Sequence, residues 1–303
     1  MRIAHCSDLH LLSHEGARWI ELANKRWIGA MNLISSRSRH YHVAAFDDMV
    51  RDLNEQGIEH VLCTGDVTNL ALPREFAFAR GKFDQLALGP TDVTVIPGNH
   101  DAYIAAGIPL FAESFGPFAT TDAGWEWTED DRIDRKDDLM WPIVRIRGDV
   151  ALIGCSTSRQ TPWFTAYGRV GAGQLGRLGR VLADPRLAGK LRIVAIHHPP
   201  AGKPAKNRIR GLRDHHQFAE VIAATGADLI VHGHEHRDLV EELPGPLGPV
   251  PVRGVCSGTY HHNKPDKTAR YRIFEIDRGQ LKGDHVRIWD RDSGRFAAVA
   301  GSI

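Results

Sequence analysis

The sequence is poor in features that would take it out of ordinary globular chemistry. No apolar run approaches the roughly 20 residues that a membrane-spanning helix requires, and there is no internal repeat and no low-complexity tract. Neither sign of charge dominates. With 38 basic and 37 acidic residues the formal net charge is +1, so no global field favours nucleic acid or a membrane, and any anion preference must be local. Cysteine is scarce, 4 in 303 residues, too few for a disulfide framework in a chain of this size. Cys6, Cys63, Cys155 and Cys256 each end a short apolar run (2–6, 61–63, 150–155 and 252–256) and read as reduced core residues. The first candidate ligand stands at position 8, which is expected to leave no room for a removable signal sequence. The protein is therefore expected to be soluble and cytoplasmic.

What the chain does have is an alternation of helical and strand patterns through its first three quarters. Apolar residues recur at helical spacing over 43–56, 73–88, 172–183 and 218–225. Strand-like segments follow or intervene at 59–63, 91–96, 192–196 and 228–231, and 142–146 with 150–155 looks like a hairpin. After Gly233 the character changes: 250–255, 270–276, 284–289 and 296–300 are short strands with few helical signals between them, suggesting an antiparallel second sheet. A mixed α/β sandwich with helices outside fits both halves.

Histidine is abundant, at 17 residues. Five short segments collect the candidates: Ser7-Asp8-Leu9-His10, Gly65-Asp66-Val67-Thr68-Asn69, Gly98-Asn99-His100-Asp101, His197-His198-Pro199-Pro200 and Gly233-His234-Glu235-His236. Each follows a predicted strand, where open α/β sheets bind their ligands. Alone, each segment is ordinary turn or strand-end chemistry; together they read as a two-metal site for phosphate ester cleavage. In an extended segment Asp8 and His10 point to the same side and can share one ion, and His234 and His236 repeat that spacing. Imidazole and carboxylate suit Fe, Zn, Mn or Co, with no thiolate in any segment to demand a softer metal. Asp66 is the natural bridge, since a carboxylate has two oxygens for two ions. Asn99 offers a neutral carbonyl oxygen, and His197 or its neighbour His198 completes the second ion. Two divalent ions against Asp8, Asp66 and one bridging hydroxide leave a formal charge of about +1, which attracts an anionic ester. That hydroxide is the expected nucleophile.

In all five segments, and over about residues 3–240, the pattern resembles the calcineurin-like metallophosphoesterase superfamily. The resemblance implies a four-layer αββα sandwich of two mixed β-sheets flanked by helices, the metallo-dependent phosphatase fold. It assigns Asp8, His10, Asp66 and His236 to one divalent or mixed-valence ion and Asp66, Asn99, His197 and His234 to the other, leaving His198 behind His197. His100 corresponds to the histidine that contacts substrate phosphate and assists the leaving group, with Asp101 placed to orient it. Asn69-Leu70-Ala71 and Asp101 depart from the protein serine/threonine phosphatase pattern. Thr68-Asn69, Pro97-Gly98-Asn99-His100-Asp101 and the His-His-Pro-Pro segment look most like the bacterial cyclic-nucleotide and glycerophosphodiester phosphodiesterase branch.

A site drawn from residues 8 to 236 requires one domain over 1–303. Two segments stand apart as candidate caps. Segment 15–41 interleaves Trp19, Ile20, Leu22, Trp27, Ile28, Met31, Leu33 and Ile34 with Arg and Lys; 120–140 is acidic and carries Trp125 and Trp127. The first is ordinary packing, an amphipathic lid for a greasy substrate, or a contact between two copies of the chain. The expected activity is hydrolysis of a small phosphodiester; the alternative is a lipid-linked nucleotide pyrophosphate of the UDP-diacylglucosamine type, with a phosphomonoesterase, a nuclease or a non-enzymatic scaffold ranked below both. No stable nucleic-acid partner is expected. Lys203, Lys206, Arg208, Arg210 and Arg213 form either a phosphate-contacting loop or a solvated one. The paired histidines His40 and His42, His215 and His216, and His261 and His262 read as solvated or locally bonded, and His5 as a core residue.

Overall fold

The computed structural model describes residues 1–11, 41–128, 141–261 and 265–299. The candidate cap at 15–41, apart from Tyr41, and the second half of the one at 120–140 lie outside the described residues.

Two six-stranded sheets face each other. The first contains β1 (Arg2–Cys6), β2 (His60–Cys63), β3 (Val93–Val95), β10 (Arg270–Asp277), β11 (Gln280–Asp290) and β12 (Arg295–Ala298), in the order β12-β11-β10-β1-β2-β3. The second contains β4 (Ile143–Arg147), β5 (Val150–Gly154), β6 (Leu191–Ala195), β7 (Leu229–His232), β8 (Leu239–Gly245) and β9 (Gly248–Gly254), in the order β4-β5-β6-β7-β9-β8. Alternation along β5, β6 and β7 builds the layers: Leu152, Ile193 and Leu229 enter the core shared with the first sheet, while Ile153, Val194 and Ile230 enter the outer one. Helices α1 (Val43–Glu55), α2 (Pro73–Phe83) and α3 (Gly107–Phe115) pack on the inner core's side of the molecule. Helices α4 (Ala172–Leu182) and α6 (His215–Thr225) cover the outer core, and a short α5 (Gly202–Ala205) lies between them in sequence. This is the four-layer sandwich expected from the resemblance.

Three differences from the sequence reading have physical causes. The strands after 233 do not form a sheet of their own. β9 runs parallel beside β7, while β10 pairs antiparallel with β1. Arg270 and Arg272 of β10 are buried and bound to Asp238 (2.6 Å) and Asp284 (2.7 Å). Strand β8 escapes the pattern because it is a half-exposed edge carrying Glu241, Glu242 and Pro244. Helix α3 escapes because it is short and opens Gly-Ile-Pro, yet its Phe111 and Phe115 pack against Phe76 of α2.

The described part of the second candidate cap does not cover the catalytic face. Residues 120–128 run along edge strand β4, with Asp122 N donating to Val144 O at 2.9 Å. Trp125 and Trp127 pack on the outer core, under Arg186 and beside Arg177 and Arg180. The four cysteines are free and buried, and among the described residues no helix is long and apolar enough to cross a membrane.

Arg145 of β4 fastens one sheet to the other. It is 0% exposed, and its guanidinium donates to the carbonyls of Pro90, Val93, Pro117 and Thr120 at 2.7–3.1 Å and to Thr120 Oγ1 at 2.7 Å. Methionine in its place would keep most of the volume and none of the donors. Arg145→Met is expected to lower the unfolding free energy by about 3 kcal/mol, measured by urea denaturation. A loss under about 1 kcal/mol would mean that those carbonyls are readily satisfied by other donors.

Candidate metal centre

Every one of the five segments begins just beyond the carboxyl end of a parallel strand: Asp8 and His10 after β1, Asp66 after β2, Asn99 after β3, His197 after β6, His234 and His236 after β7. Asp8 and His10 do not converge by continuing the strand, as their spacing suggests. Both lie in the left-handed region (φ 53° and 43°), as do Asp66 (54°), His234 (73°) and His236 (51°). Non-glycine residues rarely adopt it, at a cost of order 1 kcal/mol or more each. Cross-loop hydrogen bonds hold them there: Asp8 N to Gly65 O, His10 N to Asp66 O and Leu11 N to Val67 O, all 2.9 Å.

The side chains gather in two groups that share Asp66. In one, His236 Nε2 lies 3.2 Å from both Asp8 Oδ1 and His10 Nε2, and His10 Nε2 lies 3.9 Å from Asp66 Oδ2. In the other, His197 Nε2 lies 3.4 Å from Asp66 Oδ2 and 3.1 Å from Asn99 Oδ1, which is 2.8 Å from His234 Nδ1. Any bridge from Asp66 would use one oxygen rather than the two expected. Asp66 Oδ1 accepts the backbone N–H of His100 at 2.7 Å, so Oδ2 alone faces both groups. Asp8 is divided in the same way, Oδ2 accepting His234 N at 2.8 Å and Oδ1 buried without a hydrogen bond.

These atoms fit cations. Lone pairs converge, and the protonation states suit ligation. Burial would raise both carboxyls, but His236 beside Asp8 and His197 beside Asp66 hold them well below the usual range. Burial keeps His10 and His234 neutral. His197 is the exception that measures the local field: burial lowers it, yet Asp66 and Asp8 draw it up to about 9. Its Nδ1 faces Thr64 O at 2.7 Å, so that nitrogen donates and Nε2 is the one turned to the centre. His198 is excluded, its Nδ1 bonded to Thr157 Oγ1 (2.7 Å) and its Nε2 to Ala166 O (3.0 Å), and burial pushes it down to about 3.

His100 sits edge-on to His10, ring centroids 4.7 Å apart, and stacks on Tyr103 at 5.6 Å. Its Nδ1 lies 2.7 Å from Asn69 O. A carbonyl there requires Nδ1–H, which puts the imidazole lone pair on Nε2. Asp101 does not grip this ring in the expected way. It is fully buried, accepting from Gly98 N (2.9 Å), Thr68 N (2.9 Å), Thr68 Oγ1 (2.8 Å) and Val67 N (3.3 Å). Burial and then Asp66 raise it to about 7. Its part is to tie the loop carrying Asn99 and His100 to the loop carrying Asp66.

Residues without a motif also shape the centre. Ser257 Oγ donates to Asp8 O (2.6 Å) and Thr259 Oγ1 to Leu9 O (2.5 Å), both from the loop after β9. Asn69 Nδ2 donates to His10 O at 2.8 Å. Tyr41 lies 4.8 Å from the His10 ring and 5.3 Å from Tyr260, forming an aromatic wall on the side of the first group.

Residues 1–238 match the family model described as calcineurin-like phosphoesterase. The chain belongs to that family. All seven candidate ligands fall inside the matched region, and the chain is a metal-dependent phosphoester hydrolase. In structure this calcineurin-like phosphoesterase is similar to a dimetal phosphatase from Danio rerio, at TM-score 0.61 and 13% identity over 94% of each chain. It is also similar to purple acid phosphatase PPD1 from yellow lupin seeds (0.58, 12%, 98% of this chain and 52% of that one). A third likeness is to the sulfate thiohydrolase SoxB of Thermus thermophilus (0.50, 14%, 98% and 58%). At these identities the likeness is one of fold. Comparison with curated proteins gives no match.

Glycines let the loops of this phosphoesterase approach one another. A Cβ on Gly98 would collide with the carboxylate and backbone of Asp66, whereas one on Gly81 in α2 would meet nothing within 4 Å. Gly98→Ala is therefore expected to lose most bound metal and Gly81→Ala to keep it, by elemental analysis after gel filtration. By the same measurement, Asp66→Asn should fall from about two ions per chain to below one. Full retention in Asp66→Asn would mean that its Oδ2 is not the shared ligand.

Proposed function

We propose that this phosphoesterase is a phosphodiesterase acting on a small phosphodiester. The observation that carries the reading is that, among the described residues, no buried arginine or lysine stands at the two groups. The buried arginines Arg145, Arg177, Arg270 and Arg272 are bound elsewhere, Arg177 to the carbonyl of Trp141. Arg210, which does approach, is exposed and reaches the His234 carbonyl at 3.5 Å. Two divalent ions against Asp8 and Asp66 and one deprotonated water leave a formal excess of about +1. That balances the single charge of a diester, whereas a monoester would bring a second negative charge.

Seven side chains would hold the ions: Asp8, His10, Asp66 and His236 the first, Asp66, Asn99, His197 and His234 the second. Bound there, the ions supply Lewis acidity toward the phosphoryl oxygens and lower the pKa of water. The protein supplies orientation and a proton. His100, fixed by Asn69 O through Nδ1, presents Nε2 toward the bound ester and, when doubly protonated, donates to the departing oxygen. Tyr103 limits rotation of that ring. Tyr41 and Tyr260 border the first group and offer an apolar face to one of the two ester substituents. The lipid-linked pyrophosphate alternative rests on 15–41, of which only Tyr41 is described.

The test compares bis(p-nitrophenyl) phosphate with p-nitrophenyl phosphate after loading with Mn, Fe, Co or Zn. The diester is expected to have the higher kcat/KM, and preference for the monoester would overturn the reading. His100→Gln should lower kcat by roughly 10²-fold or more on a diester with an alkoxide leaving group. The loss should be smaller on the nitrophenyl diester, whose leaving group needs little protonation.

A further inference from the structure

We propose that the face formed by loops 158–168 and 203–213 docks on the surface of an anionic lipid bilayer, beside the mouth of the metal centre. The two loops are joined by backbone pairing, Ala166 N to Ile209 O at 2.9 Å and Gly168 N to Gly211 O at 3.1 Å. They also frame the second metal group: Ala166 O binds His198 Nε2, Ser158 Oγ donates to Pro97 O at 2.6 Å, and Arg210 reaches His234 O.

Three of the six exposed large apolar side chains among the described residues lie on these loops. Trp163 is 54% exposed, Phe164 77% and Ile209 54%. Phe164 holds φ at 63°, a left-handed conformation that a bulky residue seldom adopts. Strain kept at a loop tip that leaves an aromatic ring in water points to a use outside the fold. Around these three, the loops carry Arg159, Lys203, Lys206, Arg208, Arg210 and Arg213 and no aspartate or glutamate. Taking those six charges from a net +1 leaves the rest of the chain at −5, so the cations are concentrated here. Trp and Phe flanked by Lys and Arg match the boundary of an anionic membrane, where apolar tips enter the acyl edge and cations meet headgroups. Single-stranded nucleic acid also recruits aromatics and cations, but it stacks bases on platforms within a groove. Here the side chains project from loop tips, and one is aliphatic. Beside Trp163 a recess of about 640 Å³ opens, walled by Ile104, Ala105, Ala106 and Pro162. It begins four residues beyond His100 and is apolar enough for part of an amphiphilic molecule. This surface assignment goes beyond the phosphodiesterase reading and does not depend on it.

Co-sedimentation of the full, metal-loaded chain with vesicles tests it. The protein should pellet with phosphatidylcholine vesicles containing phosphatidylglycerol, not with phosphatidylcholine alone, and less at high salt. Lys206→Gln with Arg208→Gln should weaken binding roughly 30-fold. Trp163→Ser with Phe164→Ser should weaken it as well, each pair keeping its metal content and its hydrolysis of soluble bis(p-nitrophenyl) phosphate. The proposal is overturned by no pelleting with either vesicle, by equal pelleting of wild type and both variants, or by loss confined to a labelled single-stranded RNA. Vesicle binding is read without turnover, so failure of the diester reading would leave this result standing.

Discussion

Each of the two aspartates that would hold metal has one oxygen tied by a backbone N–H from a distant loop and one left for a cation. Asp8 is fixed by His234 N and Asp66 by His100 N. These bonds join the loop after β1 to the loop after β7, and the loop after β2 to the loop after β3. The rest of the stitching follows the same logic. Asp101 binds the β2 loop from the β3 loop, His197 Nδ1 reaches Thr64 O, and Gly233 N reaches His197 O at 3.1 Å. The ligand cluster is thus held by groups that would otherwise be unsatisfied loop backbone. Its geometry is set by these bonds between loops.

Such a construction carries a cost. Two carboxylates held ionised in a buried space repel one another, and five ligands occupy left-handed backbone. Cations reverse the sign of the first term and anchor the side chains that make the second necessary. Metal binding and loop conformation are coupled for this reason, and the two sheets make the coupling local. The parallel strands end rigidly in the core, so strain is confined to the few residues beyond them.

The reaction class was legible in the sequence because ligand types are few and strand ends are easy to find. Asp8, His10, Asp66, Asn99, His197, His234 and His236 all lie where the alternation puts them. The backbone that aims them was not legible. Period-two reasoning makes Asp8 and His10 neighbours in an extended segment, and the structure reaches the same convergence through two left-handed residues. Asp101 was misread for a related reason. Sequence places it beside His100, but burial turns its carboxylate to loop N–H groups instead. The supports from Thr157 and Ser257 carry no motif, although they follow β5 and β9, two further parallel strands. The rule that ligands gather beyond the carboxyl ends of strands would have located both, had β9 been assigned to the parallel sheet.

Substrate choice lies outside that stitched cluster. The same fold carries a protein described as a sulfate thiohydrolase and another described as a purple acid phosphatase, so the sandwich alone does not select the bond that is cut. In this chain the centre is bordered by Tyr41 and Tyr260 on the side of the first group, and by loops 158–168 and 203–213 on the side of the second. The asymmetry between these two sides is chemical. One offers aromatic faces close to His10 and His236. The other offers exposed apolar tips within a belt of cations, with no acidic residue in 158–168 or 203–213. A substituent lying on the first side of the centre would therefore meet an aromatic contact. Among diesters, which share one charge at the phosphoryl group, discrimination should follow from the substituents.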